Sequence, residues 1–298
     1  MPRVILLLAV FLVSTAGLFA HQALAEATPL AIAAWRLGLA ALFFGGLSLV
    51  GRDTDASVPI SQNARLRLLL AGLCLAGHFV AWFAALDRTS VARATLLACT
   101  TPLWTTCGGF VLGRRRPTPQ DLLALSVAGL GLWLVTSASG QATTPSSWLG
   151  DAFGLAAGLL FGAYLLCVEG LHVAVSARQQ VTATYTVAAA VLWAALLVRG
   201  GATVHYSLSV WKALLGMTLG PQIFGHTLLN WSLRHFSSSL VAFSILLEPV
   251  IAALLAWQLL GQTLTLLQLL GGLLVLIALA VVIGQKTPAE NVDAEAVG

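Results

Sequence analysis

The chain has 298 residues, 58% of them hydrophobic and only 9% charged, and its mean hydropathy is +0.91. A soluble domain carries about 25% charged residues, so these figures exclude a soluble catalytic domain and point to a polytopic helical membrane protein. The net charge of +4 and pI of about 9.2 fit arginines gathered in membrane loops, not a nucleic-acid footprint.

At about 20 residues per crossing, the sequence predicts ten spans. The first covers 4–25. Its opening, "MPRVILLLAVFLVSTAGLFAHQALAEA", has a basic start, an apolar run and Ala-Leu-Ala before Glu26, the layout of a secretory signal. The apolar run is long for such a leader, and the segment is expected to stay as a span. The second span, 29–50, carries Arg36 within "AAWRLGLAA". A guanidinium keeps its proton in a protein, so Arg36 needs a counter-ion, water or a route to the headgroups. It reads either as a clamp for a substrate carboxylate, or as a structural ion pair or snorkelling side chain. The third span, 66–86, sets His78 and Trp82 one turn apart on a shared face.

The fourth span, 91–113, surrounds Pro102 with Thr100, Thr101, Trp104, Thr105 and Thr106. Threonines beside a membrane proline satisfy the carbonyls that the proline frees. Trp104, far from an interface, is a candidate cavity wall together with Thr101. The fifth span is 119–137. The sixth, 148–170, and the seventh, 179–199, bring Tyr164 and Tyr185 as weaker candidates of the same kind.

The eighth span, 209–233, contains Gly220-Pro221, which predicts a kink. After it Gln222, His226 and Asn230 recur every four residues as one polar stripe. The stripe either hydrogen-bonds between helices or lines a cavity, with His226 a candidate proton relay. The ninth span, 238–260, holds Glu248 and Pro249 in the middle of "ILLEPVIAALLAW". A central charge costs about 2.5–3.5 kcal/mol on insertion scales, so it faces a cavity or a partner. Glu248 reads as a proton or substrate-amine site, or as a plug for the backbone freed by Pro249. The tenth span is 264–284.

Placing the N-terminus inside sets ten Lys and Arg residues on inner positions and four on outer ones, with Arg36 inside a span. Basic residues favour the cytoplasmic side, so both termini are expected there. The four cysteines, Cys74, Cys99, Cys107 and Cys167, fall inside apolar runs without a CxxC pair, and read as buried inert thiols. No P-loop and no metal-spaced His/Cys cluster occurs, so no cofactor or metal is expected and ATP does not drive the chain directly.

Shifted by 147 residues, Leu86 falls on Leu233, Ser90 on Ser237, Pro102 on Pro249 and Thr118 on Thr265. Spans four and nine then correspond, and each half holds five spans. An odd number inverts the second half relative to the first, an architecture of secondary transporters with midplane sites at interrupted helices. The expected fold is therefore all-α integral membrane, with ten transmembrane helices in two inverted five-helix repeats. These are 1–140 and 141–284, followed by a disordered cytoplasmic tail, 285–298. Ser137–Ser147 reads as an external linker.

The stretch "STAGLFAHQALAEATPLAIAAWRLGLAALFF", followed by "SSSLVAFSILLEPVIAALLAWQLLGQTLTLLQLLGGLLVLIAL", resembles the EamA-type branch of the drug/metabolite transporter superfamily. The family often has Glu where this chain has Gln262, and the first repeat reads "GRRRPT" there. The resemblance implies ten helices, a retained first helix and export of small metabolites. The expectation is a secondary transporter of the plasma (inner) membrane, not an enzyme, exporting amino acids or similar amphipathic metabolites by alternating access. Its partners are the lipid bilayer and a small-molecule substrate, with no nucleic acid, and it is a monomer or weak homodimer. Other readings are a channel-like or structural subunit, and an intramembrane hydrolase built on His226, Asn230 and Ser232.

Overall fold

The structure, a computed structural model, describes residues 1–50, 60–89, 91–137, 147–200, 205–260 and 265–284. Residues 138–146 of the expected linker, the expected tail and Gln262 lie outside the described residues. Those that are described form helices α1 (Pro2–Ser14), α2 (Ala16–Ala23), α3 (Pro29–Val50), α4 (Gln62–Arg88), α5 (Val91–Ala98), α6 (Thr101–Val111) and α7 (Pro119–Ser137). The second half gives α8 (Trp148–Val168), α9 (Ala177–Val198), α10 (Leu208–Met217), α11 (Thr227–Ser232), α12 (Ser238–Ile245), α13 (Glu248–Leu260) and α14 (Leu266–Ile283).

Among the described residues six stretches are long and apolar enough to cross a membrane: Pro2–Ala23, Pro29–Val50, Gln62–Arg88, Trp148–Val173, Ala177–Val198 and Leu266–Ile283. Helix also occupies the other expected spans, the fifth as the single helix α7 and the fourth, eighth and ninth in interrupted pieces. Six helix starts, in long and interrupted spans alike, are set by hydroxyl caps that satisfy the orphan N–H groups of a first turn. Ser61, Ser147, Ser207 and Ser237 each accept from a backbone N–H three residues on. Ser176 and Thr265 do so within full capping boxes, answered by Gln179 and Gln268.

The breaks in the fourth and ninth expected spans match the repeat. α5 ends at Ala98 and α6 starts at Thr101, while α12 ends at Ile245 and α13 starts at Glu248. Both pairs differ by the same 147 residues as Pro102 and Pro249. Pro102 has no N–H to give to the carbonyl four residues back, and the Thr101 hydroxyl donates to that Ala98 oxygen at 3.0 Å instead. At Pro221 the chain does not simply kink. Residues Thr218–His226 form a π-helical stretch between α10 and α11, which absorbs the missing donor by widening the turn.

A four-residue glycine stripe, Gly150, Gly154, Gly158 and Gly162, runs along α8 in "GDAFGLAAGLLFG". It lets α5 and α6 approach at backbone distance: a Cβ on Gly158 would stand 2.5 Å from the Thr100 hydroxyl and 2.9 Å from the Ala98 oxygen. The N-terminal segment is part of the same packing, with Leu6, Ala9, Val10 and Val13 buried. Val13 comes so close to Gly225 that a Cβ there would be 2.8 Å from it. The interior holds Ile32, Leu37, Phe79, Phe83, Tyr185 and Phe243, while large apolar side chains such as Phe11, Leu42, Phe110 and Leu122 are exposed on the outside. An outer surface of this kind suits hydrocarbon, not water. Cys107 corrects one expectation: it is exposed, and only Cys99 of the four thiols is fully buried.

Candidate functional site

The two broken stretches meet α1 to α4, α8 and the π-helical stretch around a cavity of about 50 Å³. Six candidates line it: Arg36 from α3, His78 and Trp82 from α4, Thr101 from the start of α6, His226 from the end of the π-helical stretch, and Glu248 from the start of α13. Phe79 and Phe161 complete the aromatic wall. Phe79 was not among the candidates, although it stands one repeat offset of 147 residues before His226. Phe161 had no signal in the sequence.

Arg36 is 1% exposed, which rules out snorkelling to the headgroups. Its Nε donates to Gln222 Oε1 at 2.8 Å, and its guanidinium carbon lies 4.2 Å from the centre of the Phe79 ring, a cation–π contact. Its Nη1 has no partner among the described residues, and no carboxylate there lies within ion-pair distance of it. A structural ion pair is thus absent from this site among the described residues. Glu248 faces the same cavity, and none of the described hydrogen bonds or ion pairs involves its carboxylate. The plug reading required such a bond to the backbone freed by Pro249.

The histidines sit among rings. His226 meets Phe79 and Phe161 edge-on, at 5.4 and 5.6 Å between centroids, and its Nδ1 is unpartnered among the described residues. His78 Nδ1 is 2.9 Å from the Ala157 carbonyl. A carbonyl only accepts, so Nδ1 carries the proton and Nε2 is left as the acceptor.

The remaining candidates lie behind or beside the cavity. Gln222 is buried behind Arg36, and its own backbone carbonyl accepts from the Tyr185 hydroxyl at 3.4 Å. Tyr164 donates to Asn230 Oδ1 at 2.5 Å in the interior between α8 and α11. Trp104 is turned away: its indole N–H donates to the Thr100 hydroxyl at 3.1 Å, and its Cβ packs on Gly162. The stripe Gln222–His226–Asn230 is buried, but only His226 lines the cavity and its members serve three different neighbours. Among the described residues no cluster of three His, Cys, Asp or Glu side chains is placed to hold a metal ion.

The chain matches a known family twice, over residues 3–137 and again over 148–284. It belongs to the EamA-like transporter family. As an EamA-like protein with these apolar helices it is a multi-pass integral membrane protein, of the drug/metabolite transporter kind. It is 25% identical over 195 residues to a protein of Archaeoglobus fulgidus named "Uncharacterized transporter", covering 65% of this chain and 68% of that one. A protein of known crystal structure shares the fold of this EamA-like chain, with a TM-score of 0.75 at 18% identity over 94% of this chain and 96% of the other.

Proposed function

We propose that this EamA-like transporter exports small zwitterionic metabolites, amino acids or similar amphipathic molecules, by alternating access around the Arg36–Glu248 cavity. One observation carries the reading: a buried guanidinium and a carboxylate line one cavity without pairing to each other. Buried charges need partners. A substrate with a carboxylate for Arg36 and an ammonium for Glu248 supplies both at once, and the rings of Phe79, Trp82 and Phe161 suit its apolar part. Glu248 is the first proton-coupling candidate and His226 the second.

The reading takes the ten helical stretches as ten spans in two inverted repeats, 1–140 and 141–284, supported by the equal offset of the two breaks. Basic residues gathered near one end of the spans support a plasma (inner) membrane protein with both termini in the cytoplasm. Export direction follows from the family resemblance. A cavity of about 50 Å³ is far below the roughly 300 Å³ and more of a small-molecule site. To admit such a substrate the cavity has to widen, by separation of the helices that line it. The hydrolase alternative gains nothing from Ser232, whose hydroxyl donates to the Leu228 carbonyl of its own helix at 2.8 Å.

The test is thermal stability of purified protein against a panel of amino acids and related metabolites, for wild type and Glu248→Gln. A ligand that raises the melting temperature of wild type but not of the variant places Glu248 at the substrate. Equal ligand shifts in both, from a much lower starting stability in the variant, would sink the assignment and make Glu248 structural.

A further inference from the structure

A second concavity, of about 520 Å³, opens at the end of the bundle where α1 and α4 begin and α6, α8 and α14 end. Five arginines line it, Arg3, Arg67, Arg114, Arg115 and Arg116, against two carboxylates, Asp121 and Glu169. Both carboxylates are already engaged. Asp121 Oδ2 accepts from the Thr118 N–H and hydroxyl at 2.8 and 2.9 Å, capping α7. Glu169 accepts from the Ser238 N–H at 2.8 Å at the start of α12, and pairs with Arg114 at 3.2 Å and Arg115 at 3.5 Å.

Several donors remain over. Arg67 is used up on α8, whose final carbonyls at Cys167 and Glu169 accept from it. Arg3 and Arg116, by contrast, have no carboxylate within ion-pair distance among the described residues. The Nε of Arg115 and the hydroxyl of Thr106 are buried and unpartnered there. Thr106 is 5% exposed, yet it lines this concavity. Burial holds the Arg115 guanidinium below its ordinary value, against the opposing pull of Glu169 and then Asp121. The bias of arginine toward cytoplasmic loops accounts for their number, but not for their convergence on one recess with donors left over.

We infer that this recess is a second binding site, distinct from the Arg36–Glu248 cavity, for an anion of the phosphate type. Guanidinium forks match phosphate oxygens in pairs. The volume falls within the range of about 300–1,000 Å³ for small-molecule sites. Phe236, Leu240, Val282 and Ile283 form an apolar wall beside the arginines, so the ligand is a phosphate group with room for an attached apolar part. Such a group comes either from an anionic phospholipid or from a soluble phosphate compound. The inference does not depend on the substrate of the central cavity.

The experiment uses the full chain. In neutral detergent, the protein is melted in inorganic phosphate and in chloride at equal ionic strength. In nanodiscs, phosphatidylcholine alone is compared with phosphatidylcholine plus phosphatidylglycerol. Stabilisation by phosphate alone marks a soluble ligand, and stabilisation by phosphatidylglycerol alone marks a lipid headgroup. Stabilisation by both marks a site that takes the group from either source. In each case the double variant Arg3→Gln/Arg116→Gln is expected to weaken the effect about tenfold or more, since a hydrogen bond to a charged group is worth about 1.5–3 kcal/mol. Should that variant fold poorly, Thr106→Val is expected to weaken the effect in the same direction. The inference is overturned if neither anion stabilises beyond chloride, if the variants respond as wild type, or if Arg199→Gln, past the end of α9, weakens the response equally.

Discussion

Arg36 donates its Nε to Oε1 of Gln222 at 2.8 Å, so the one charged side chain buried on α3 is held by the π-helical stretch and not by a carboxylate. A neutral acceptor orients the guanidinium without neutralising it, and Nη1 stays unpartnered among the described residues. Gln222→Glu replaces that acceptor with a charge of nearly the same shape. It is expected to keep or raise the melting temperature while weakening substrate binding about tenfold or more, because the new carboxylate competes with that of the substrate. Gln222→Leu removes the acceptor and is expected to cost about 1.5–3 kcal/mol of stability. Parallel melting and binding titrations separate the two outcomes.

Much of this arrangement could be read from residue types, because lipid makes polar residues informative. Arg36, His78, His226 and Glu248 are costly in hydrocarbon, and all four face one cavity. The breaks at Thr101 and Glu248 were legible from the matched prolines. What stayed hidden depends on rotation and neighbours. Trp104 is one turn from Thr101, yet α8 offers it the space above Gly162 and it turns there. The even spacing of Gln222, His226 and Asn230 gave a single stripe, whereas the π-helical stretch and three different neighbouring helices divide it. The glycine stripe of α8 was present in the sequence at a spacing of four, and was the missed sign that the break in the fourth stretch packs against the sixth.

Thr101 is expected to matter for the backbone before it matters for substrate. Its hydroxyl donates to the Ala98 carbonyl that Pro102 leaves without a donor, at 3.0 Å, and lies 3.3 Å from the Gly158 carbonyl. Thr101→Val keeps the shape and removes the donor, and is expected to cost about 1–3 kcal/mol. Thr101→Ser keeps the hydroxyl and is expected to melt close to wild type. Equal melting of Val and wild type would show that the freed carbonyl is satisfied in another way.

Tyr164 and Asn230 form the closest side-chain link between the two stretches behind the cavity, at 2.5 Å. Asn230 Nδ2 already lacks a partner among the described residues, so Tyr164→Phe leaves the whole amide unsatisfied in the interior. The expected cost is about 1–3 kcal/mol. Adding Asn230→Leu to Tyr164→Phe removes the stranded amide and is expected to recover part of that loss. A double-mutant cycle on melting free energies gives the coupling, and a coupling near zero would mean that the bond contributes nothing to holding α8 on α11.

Gly158 is the tightest test of how the break is held. A methyl at this position would meet the Thr100 hydroxyl at 2.5 Å, the Ala98 oxygen at 2.9 Å and the Leu97 oxygen at 3.0 Å. The last two are backbone atoms, which cannot swing aside as the end of a side chain can. Gly158→Ala therefore forces α8 away from the α5–α6 break, and overpacking of this kind costs about 1–3 kcal/mol. The gain in helix propensity, about 0.8–1 kcal/mol for Gly to Ala, offsets only part of it. Because the same displacement shifts Thr101 and Phe161, which line the central cavity, substrate binding should weaken together with stability. Gly129→Ala on α7, where nothing lies within 4 Å of the added methyl, is the control, and it is expected to be neutral or stabilising on both measurements. If the two alanines behaved alike, the close approach of α8 to the break would not be what keeps the site in shape.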